Sequence, residues 1–313
     1  MNASDQKTRE TPYGIAPRGY RLPGATRLGR VRLQVADLER SLAFYRQVLG
    51  FRELHREGTA AALGTPGSDT PLVELHERRG ASPVPKRGRL GLYHFAVLLP
   101  TRADLGRFLV HLSEQGVQAG AGDHDVSEAL YLQDPDGLGI EVYADRPRSG
   151  WKTRGRELYI DTTAVDVADL ARSGGDERWS GMPAGTVVGH VHLHVGSIEE
   201  AAAFYHQAVG FDQMTWSYPG ALFLGAGGYH HHLGLNTWAG PDAPRAGEDD
   251  ARLLEWEIVL PGAEEVEAAA RSLEGAGYGV TRSGEGWTAP DPWGTVVRVR
   301  SAREEEADGP GAA

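Results

Sequence analysis

Apolar and polar residues alternate at the start of several segments of the chain. In the first segment, Val31, Leu33 and Val35 alternate with polar residues, which is the two-residue period of a half-buried strand. A helical stretch follows; in residues 197–210 it begins with a Ser-x-x-Glu capping box and ends at Gly210. Short apolar strands separated by glycine-rich or Asp-Pro-x-Gly turns complete each segment. The pattern predicts a β-α-β-β-β module.

This module occurs four times. Residues 28–51 match residues 188–211 at a constant offset of 160, and residues 91–100 match residues 252–261 at an offset of 161. Internal repeats of this kind decide the architecture before any single element does. We number the units modules 1 to 4 in chain order and expect an α+β fold in which modules 1 and 3, and modules 2 and 4, are equivalent.

The repeats also suggest domain limits. We expect one domain at residues 25–146 with modules 1 and 2, and a second at residues 187–301 with modules 3 and 4. Residues 147–186 between them are predicted to be a linker that packs in part. The polar N-terminal residues 1–24 and the acidic, glycine-rich residues 302–313 are predicted to be mobile tails.

Composition narrows the classes of function. The 313 residues are 40% hydrophobic and 24% charged, which is typical of a globular protein of about two domains. A formal charge of −11 disfavours nucleic-acid binding, and no apolar run approaches the roughly 18 residues needed to span a membrane. The absence of cysteine excludes disulfides, thiolate zinc sites and iron–sulfur clusters. The polar start has no signal-peptide character, so we expect a cytoplasmic protein with small-molecule partners, and a homo-oligomer remains open.

Two residues of module 2 are candidates for metal binding. His94 lies on the first strand of the module and Glu141 on its last strand, within the apolar stretch LGIEVY. A carboxylate inside an apolar strand is costly unless a cation or a hydrogen-bond donor meets it. A divalent metal is one such partner, and a buried arginine is the alternative.

Module 3 supplies the third candidate ligand. His190, His192 and His194 alternate along its first strand, VGHVHLHVG, and therefore point to one side. Only His190 is at the repeat position equivalent to His94, so we select it; a histidine-lined strand without metal is the alternative. Two histidines and one carboxylate occupy one face of a metal and leave positions for substrate and O2, which suits non-haem Fe(II).

Modules 2 and 3 resemble the catalytic half of the extradiol ring-cleaving dioxygenases of the vicinal oxygen chelate (glyoxalase/bleomycin resistance/dioxygenase) superfamily. Nearly the whole chain is similar to the bacterial catechol 2,3-dioxygenases, including GDHDVSEALYL, DPDGLGIEVYADRPRS and GGYHHHLGLNTWAG. The resemblance implies four βαβββ modules that form two vicinal oxygen chelate domains. It also implies that His94, Glu141 and His190 bind Fe(II), for which Mn(II) is a substitute.

The same resemblance implies an activity and three further site residues. The expected reaction is the cleavage of catechol, or of a substituted catechol, by O2 to a 2-hydroxymuconic semialdehyde. Tyr131, ten residues before the metal glutamate, and His124 match positions beside the substrate. His231, in the stretch HHLGL, matches the acid–base histidine, although His230 and His232 flank it and compete for that role.

The outer modules have lost these ligands. The positions equivalent to metal ligands in modules 1 and 4 are occupied by Arg30, Glu74, Glu255 and Arg298. Arginine is permanently protonated and cannot ligate, so we predict a vestigial site made of a neutral, ion-paired cluster. The catalytic barrel then forms only if module 2 pairs with module 3 rather than with module 1; pairing across a dimer interface is an alternative.

Two other functions share this fold. A glyoxalase-like, metal-dependent isomerase or lyase would use a more symmetric, carboxylate-rich site, and a ligand-sequestering resistance protein would have no reason to keep three metal ligands. Several aromatic residues near the histidine strand either shape a ring pocket or belong to the core and loops, namely Trp216, Tyr218, Tyr229 and Trp238.

Overall fold

The computed structural model describes residues 13–240, 242–284 and 286–302. Within them the β-α-β-β-β order occurs four times, as the repeats predict. Module 1 contains β1 (Arg27–Val35), α1 (Leu38–Gln47), β2 (Arg52–Glu57), β3 (Ala60–Gly64) and β4 (Val73–Glu77). Module 2 contains β5 (Gly91–Leu98), α2 (Arg102–Glu114), β6 (Gly120–Asp123), β7 (Ser127–Gln133) and β8 (Gly139–Asp145).

The second half of the chain repeats this order after a connecting segment. The connection contains a 3-10 helix (Arg148–Gly150), β9 (Thr153–Arg154), β10 (Glu157–Leu158) and α3 (Val167–Ser173). Module 3 contains β11 (Val187–His194), α4 (Ile198–Ala201), a π-helix (Ala202–Val209), β12 (Asp212–Thr215), β13 (Ala221–Gly225) and β14 (Leu233–Asn236). Module 4 contains β15 (Arg252–Leu260), α5 (Ala263–Gly275), β16 (Thr281–Ser283), β17 (Gly286–Pro290) and β18 (Val296–Ser301).

The strands form two eight-stranded sheets that do not follow the chain order. The inner sheet joins modules 3 and 2 in the order β12-β13-β14-β11-β5-β8-β7-β6. The outer sheet joins modules 4 and 1 in the order β16-β17-β18-β15-β1-β4-β3-β2. The predicted pairing of module 2 with module 3 is therefore confirmed and occurs within one chain. Domain limits drawn along the sequence do not coincide with these sheets and stay a prediction.

The helical segment of module 3 begins and ends at the residues that its sequence predicts. The Ser197 side chain accepts a hydrogen bond from the Glu200 backbone N–H, which caps the first turn. Gly210 then ends the helical run with φ of 105°, a left-handed conformation that favours glycine. The stretch between them becomes a π-helix from Ala202 onward, which the apolar pattern does not predict. Apolar side chains of this helix, including Phe204, are buried in the shared core.

Equivalent tyrosines tie the modules together in pairs. The hydroxyl of Tyr45 on α1 donates to Asp134 (3.5 Å), and that of Tyr205 on the π-helix donates to Asp291 (2.9 Å). Each aspartate opens an Asp-Pro-x-Gly turn in the next module. Burial raises the pKa of the Asp134 carboxyl to about 7, against the effect of hydrogen bonds from the backbone of Leu138 and Asp136. Each turn thus carries a buried carboxyl group that accepts a hydrogen bond from a tyrosine on the helix of the preceding module.

Part of the predicted N-terminal tail is packed. Arg21 donates two hydrogen bonds to Asp212 (2.8 and 2.7 Å), Ile15 pairs with Gln213, and Leu22 is buried. The prediction of a mobile tail is therefore wrong for residues 13–24, because these residues cover the edge strand β12. The remainder of both predicted tails, except Ala302, lies outside the described residues. Of the helices in the described ranges, none is long and apolar enough to cross a membrane.

Part of the connecting segment packs against the inner sheet and α2. Leu158 and Ile160 join a small buried cluster with Val126 of the β6–β7 turn and Phe223 of β13. In addition, α3 packs along α2, with Leu170 fully buried between them. The segment therefore covers one side of the inner sheet and carries residues to its rim.

Candidate metal centre

Three adjacent strands of the inner sheet bring the predicted ligands together. His94 lies on β5, Glu141 on β8 and His190 on β11, and Ala96 of β5 is the register partner of both Glu141 and His190. The Glu141 Oε2 atom lies 3.0 Å from His94 Nε2 and 3.2 Å from His190 Nε2. The two Nε2 atoms are 3.3 Å apart. All three residues are at most 5% exposed.

This triangle fits a bound divalent metal. Two ligands in neighbouring octahedral positions, each about 2.1 Å from a metal, are separated by roughly 3 Å. All three separations are close to that value, so a single ion can contact the three atoms from one side. Among the described residues, this is the set of His, Asp and Glu side chains whose ligand atoms converge in this way. The geometry therefore supports a metal site.

The protonation states of the ligands suit the same interpretation. Burial works to raise the pKa of Glu141, but His190 and His94 hold it well below its usual range. Burial also lowers the pKa of His190 to about 4. An ionised carboxylate and a neutral imidazole are the forms that bind metals. His190 Nδ1 is buried and has no hydrogen-bond partner among the described residues. His190 Nε2, in contrast, lies beside Glu141 and His94, so Nε2 is the candidate ligand atom.

The outer sheet carries charges at the equivalent positions. Arg30 lies 2.9 Å from Glu74, and Arg298 lies 2.8 Å from Glu255, so the four predicted residues are ion-paired rather than scattered. Arg32 joins the two pairs, at 3.0 Å from Glu74 and 3.6 Å from Glu255. The vestigial cluster is confirmed as an ion-paired group.

Sequence reasoning missed part of that cluster. Glu257, which is 2% exposed, lies 3.1 Å from Arg30 and 3.2 Å from Arg300. Arg32 and Arg300 also belong to the cluster, so it extends beyond the four predicted residues. The missed signal is periodicity, because these residues alternate with the predicted ones on the same strand faces.

His124 and Tyr131 lie together beside the ligands. The Tyr131 hydroxyl donates to His124 Nε2 (2.5 Å), and the ring of Tyr131 lies 5.7 Å from that of His94. His124 Nδ1 donates to the backbone oxygen of Asp161 (3.0 Å) in the connecting segment. Because Nδ1 already holds the imidazole proton, neutral His124 acts as an acceptor and Tyr131 is the donor of the pair.

The three consecutive histidines point in different directions. The ring of His231 lies 4.2 Å from that of His190 and 5.0 Å from that of Phe223, beside the candidate ligands. His230 Nε2 lies 2.8 Å from Asp145, whereas His232 Nδ1 accepts from the Ala226 backbone. Burial and the neighbouring histidines lower the pKa of His231 well below its ordinary value. This geometry favours His231 over its neighbours for an acid–base role.

The other two histidines of β11 have their own partner. The Asn236 side chain donates to His192 Nε2 (2.9 Å) and accepts from His194 Nδ1 (2.6 Å). His192 nevertheless contacts the site, since its ring lies 5.0 Å from that of His94. Asn236 is fully buried on β14, the strand next to β11, where it is the register partner of His194. The 42 positions between the two residues in the sequence explain why sequence spacing did not reveal the contact.

Two of the four aromatic residues considered from sequence line the approach to His231. Phe223 contacts His231, Tyr218 (5.8 Å) and His192 (5.6 Å), and Tyr218 contacts Trp238 (6.1 Å). Trp238 is 45% exposed at the rim. In contrast, Tyr229 stacks on His230, and Trp216 packs against the main core.

Comparisons with known proteins agree with the fold. The sequence matches the Glyoxalase/Bleomycin resistance protein/Dioxygenase superfamily over residues 27–142 and 187–297. It is 46% identical over 270 residues to the catechol-2,3-dioxygenase of Bacillus subtilis (strain 168), covering 85% of this chain and 94% of that protein. It is also 28% identical over 150 residues to biphenyl-2,3-diol 1,2-dioxygenase 3 of Rhodococcus globerulus, covering 46% of this chain and 79% of that protein.

Solved structures share the architecture. A candidate dioxygenase from Bacillus subtilis aligns with a TM-score of 0.63 at 14% identity, covering 90% of this chain and 86% of that one. Glyoxalase I from Zea mays aligns with a TM-score of 0.53 at 18% identity, covering 88% and 92%. At these identities the alignments show the fold alone.

The chain therefore belongs to the Glyoxalase/Bleomycin resistance protein/Dioxygenase superfamily, and the resemblance found in its motifs is confirmed. Within that superfamily, its extended sequence identity is to a dioxygenase, which supports the predicted class of enzyme.

Proposed function

We propose that this protein is an extradiol dioxygenase that cleaves catechol, or a substituted catechol, with O2 to a 2-hydroxymuconic semialdehyde. The observation that carries the proposal is the triangle of His94, His190 and Glu141 ligand atoms, 3.0–3.3 Å apart, with His231 and Tyr131 beside it. The identity to a catechol-2,3-dioxygenase over most of the chain supports the choice of substrate.

The three ligands suit Fe(II), and Mn(II) accepts the same set. When bound, Fe(II) supplies Lewis acidity toward the two neighbouring catechol oxygens and exchanges electrons with O2. The ligands occupy one face, so positions remain for both molecules. His94, His190 and Glu141 also exclude bulk water, because all three are buried.

His231 is the proposed acid–base residue. Its lowered pKa keeps the imidazole neutral near pH 7, so it accepts a proton from one catechol hydroxyl and returns it when the ring opens. Phe223 packs against the imidazole and limits its rotation.

Tyr131 is the proposed donor to the substrate oxygen that becomes anionic. Burial and the nearby Glu141 raise the pKa of Tyr131 well above its usual range, so the phenol keeps its proton. The substrate oxygen replaces His124 as the acceptor of that proton. His124, held by the Asp161 carbonyl, fixes the starting position of the hydroxyl.

The cytoplasm is the proposed location, since its reducing conditions keep iron ferrous. The substrate and O2 would reach the site as small molecules past Tyr218 and Trp238. Fractionation of cells that produce the tagged protein tests the location.

Anaerobic purification with metal analysis, followed by aerobic assays, tests the function. We expect about one iron per chain, a yellow ring-opened product from catechol, and both atoms of ¹⁸O2 in that product. Parallel assays with 3-methylcatechol and protocatechuate define the preferred ring. Bound metal without oxygen uptake would contradict the proposal and favour a glyoxalase-like isomerase; a metal-free chain that binds ligands would favour a sequestering protein.

Variants test the ligand set. Glu141→Gln should lose iron and activity together, because a neutral amide is a poor ligand for Fe(II). The matched control is His194→Gln on β11, whose side chain bonds to Asn236 outside the triangle and whose replacement should retain iron. Iron retained by the Glu141 variant would remove this carboxylate from the ligand set.

A further inference from the structure

A continuous chain of hydrogen bonds leads away from His231. Its Nδ1 atom lies 2.7 Å from His230 Nδ1, and His230 Nε2 lies 2.8 Å from Asp145 Oδ1. His230 is fully buried, whereas the Asp145 side chain is 26% exposed at the end of β8. Neither residue contacts the three ligand atoms, and neither has a role in the reaction proposed above.

The order of donors in this chain is fixed by the carboxylate. Asp145 only accepts, so His230 Nε2 carries the proton that joins them. When the His230 ring carries this one proton, its Nδ1 atom is an acceptor, and the proton of the 2.7 Å contact belongs to His231 Nδ1. In neutral His231 the remaining ring nitrogen, Nε2, therefore holds the lone pair.

We propose that His230 and Asp145 are positioning residues that hold His231 in the Nδ1–H tautomer, so that Nε2 is the atom that takes the substrate proton. This inference rests on the proposed function, because it assigns the working atom of the same site. The arrangement follows the general logic in which a carboxylate orients a catalytic imidazole, here with a second imidazole between the two.

The surroundings of the chain keep it in place. The Tyr229 hydroxyl donates to Asp145 (3.3 Å) and lies 2.7 Å from the Tyr143 hydroxyl. Trp151 of the connecting segment packs on His230, with 5.3 Å between the rings. A side chain at Gly189 would place its Cβ 1.9 Å from the Tyr143 hydroxyl, so glycine leaves the space that this pair requires.

If His230 served only to fill space, the effects of two substitutions, His230→Phe and His230→Gln, would be the reverse of those expected for a positioning residue. Its ring lies 4.1 Å from that of Tyr229, so bulk alone would be a sufficient reason for an aromatic residue. His230→Phe keeps the ring but has no acceptor for His231 and no donor for Asp145. His230→Gln loses the ring, but its amide oxygen accepts from His231 and its amide nitrogen donates to Asp145.

Steady-state kinetics of the iron-loaded variants separate the two roles. We expect kcat for catechol to fall by ~10²-fold in His230→Phe and by less than about 10-fold in His230→Gln, with KM and iron content unchanged. In a His231→Asn background, His230→Phe should have no additional effect, since it acts through His231. Full activity of the Phe variant with a slower Gln variant would overturn the inference.

A spectroscopic measurement tests the tautomers without turnover. Long-range ¹H–¹⁵N spectra of the protein loaded with diamagnetic Zn²⁺ should show His231 protonated at Nδ1, and His230→Phe should abolish this preference. A His231 ring protonated at Nε2 would overturn the inference even in an active enzyme. If the wild type shows the Nδ1–H tautomer but no oxygen uptake, the proposed function fails while the positioning chain stands.

Discussion

Glu257→Gln should destabilise the protein by about 3 kcal/mol while leaving catalysis intact. The carboxylate is 2% exposed and lies 3.1 Å from Arg30 and 3.2 Å from Arg300. At this separation, each attraction amounts to about 5 kcal/mol with an effective dielectric of about 20. The glutamine amide removes both attractions and leaves the arginines in their desolvated positions. Removing one partner of a buried ion pair usually lowers the free energy of unfolding by about 3–5 kcal/mol. Because Arg30 keeps Glu74 as a partner, we expect the lower end of that range.

Urea unfolding followed by tryptophan fluorescence measures the loss, since Trp256 and Trp287 are fully buried in the core. For a chain of this length, the same loss lowers the melting temperature by about 6 °C. Glu57→Gln is the matched control, because its side chain is 90% exposed and its ion pair is worth less than about 1 kcal/mol. Iron content and kcat should match the wild type in both variants. A loss below about 1 kcal/mol for Glu257→Gln would refute a structural role for the ion-paired cluster.

Three further changes test other parts of the structure. His231→Ala should retain iron but lower kcat by ~10²-fold, measured by oxygen uptake; normal turnover would move the acid–base role to another residue. Arg21→Ala should cost about 3 kcal/mol in urea unfolding, because it leaves the buried Asp212 carboxylate without its bidentate partner. Asp134 has a pKa of about 7 when folded and about 4 when unfolded, so folding takes up a proton between these values and wild-type stability falls as pH rises from 4 to 7. The free energy of unfolding of Asp134→Asn should therefore exceed that of the wild type by up to about 4 kcal/mol at pH 8 and by much less at pH 4. An equal difference at both pH values in urea unfolding would contradict the raised pKa.

The pairing of the sheets could be predicted because the repeats assign equivalent positions. His94 and His190 are equivalent residues of modules 2 and 3, and their meeting requires those modules to share a sheet. The alternation of His190, His192 and His194 also predicted their shared side. The rings of His190 and His192 lie 5.5 and 5.0 Å from that of His94, and the rings of His192 and His194 lie 5.2 and 4.7 Å from that of Tyr93. Periodicity and repetition are thus sufficient to place side chains on strands.

Contacts between distant segments could not be predicted in the same way. Asp161 meets His124, and Asn236 meets His192, through folding of segments whose own patterns carry no signal for these partners. The packing of residues 13–24 could not be predicted for the same reason. Their polar character suggested a tail, but Arg21 forms an ion pair with the buried Asp212 of β12. The position of a buried polar side chain depends on the group that it pairs with. In these cases that group is distant in the sequence, so the local pattern does not reveal it.

The two sheets therefore solve the same electrostatic problem with different partners. Each places carboxylates at the centre of a curved, largely apolar sheet, where an unpaired negative charge is costly. In the inner sheet, His94 and His190 lie beside the buried Glu141 carboxylate, and the three side chains would together bind a divalent cation. In the outer sheet, Arg30 and Arg298 supply fixed positive charges to Glu74 and Glu255 and occupy the space a metal would need. Since arginine does not lose its proton and cannot ligate, the described residues offer a convergent set of metal ligands in the inner sheet, between modules 2 and 3, and ion pairs at the equivalent positions of the outer sheet.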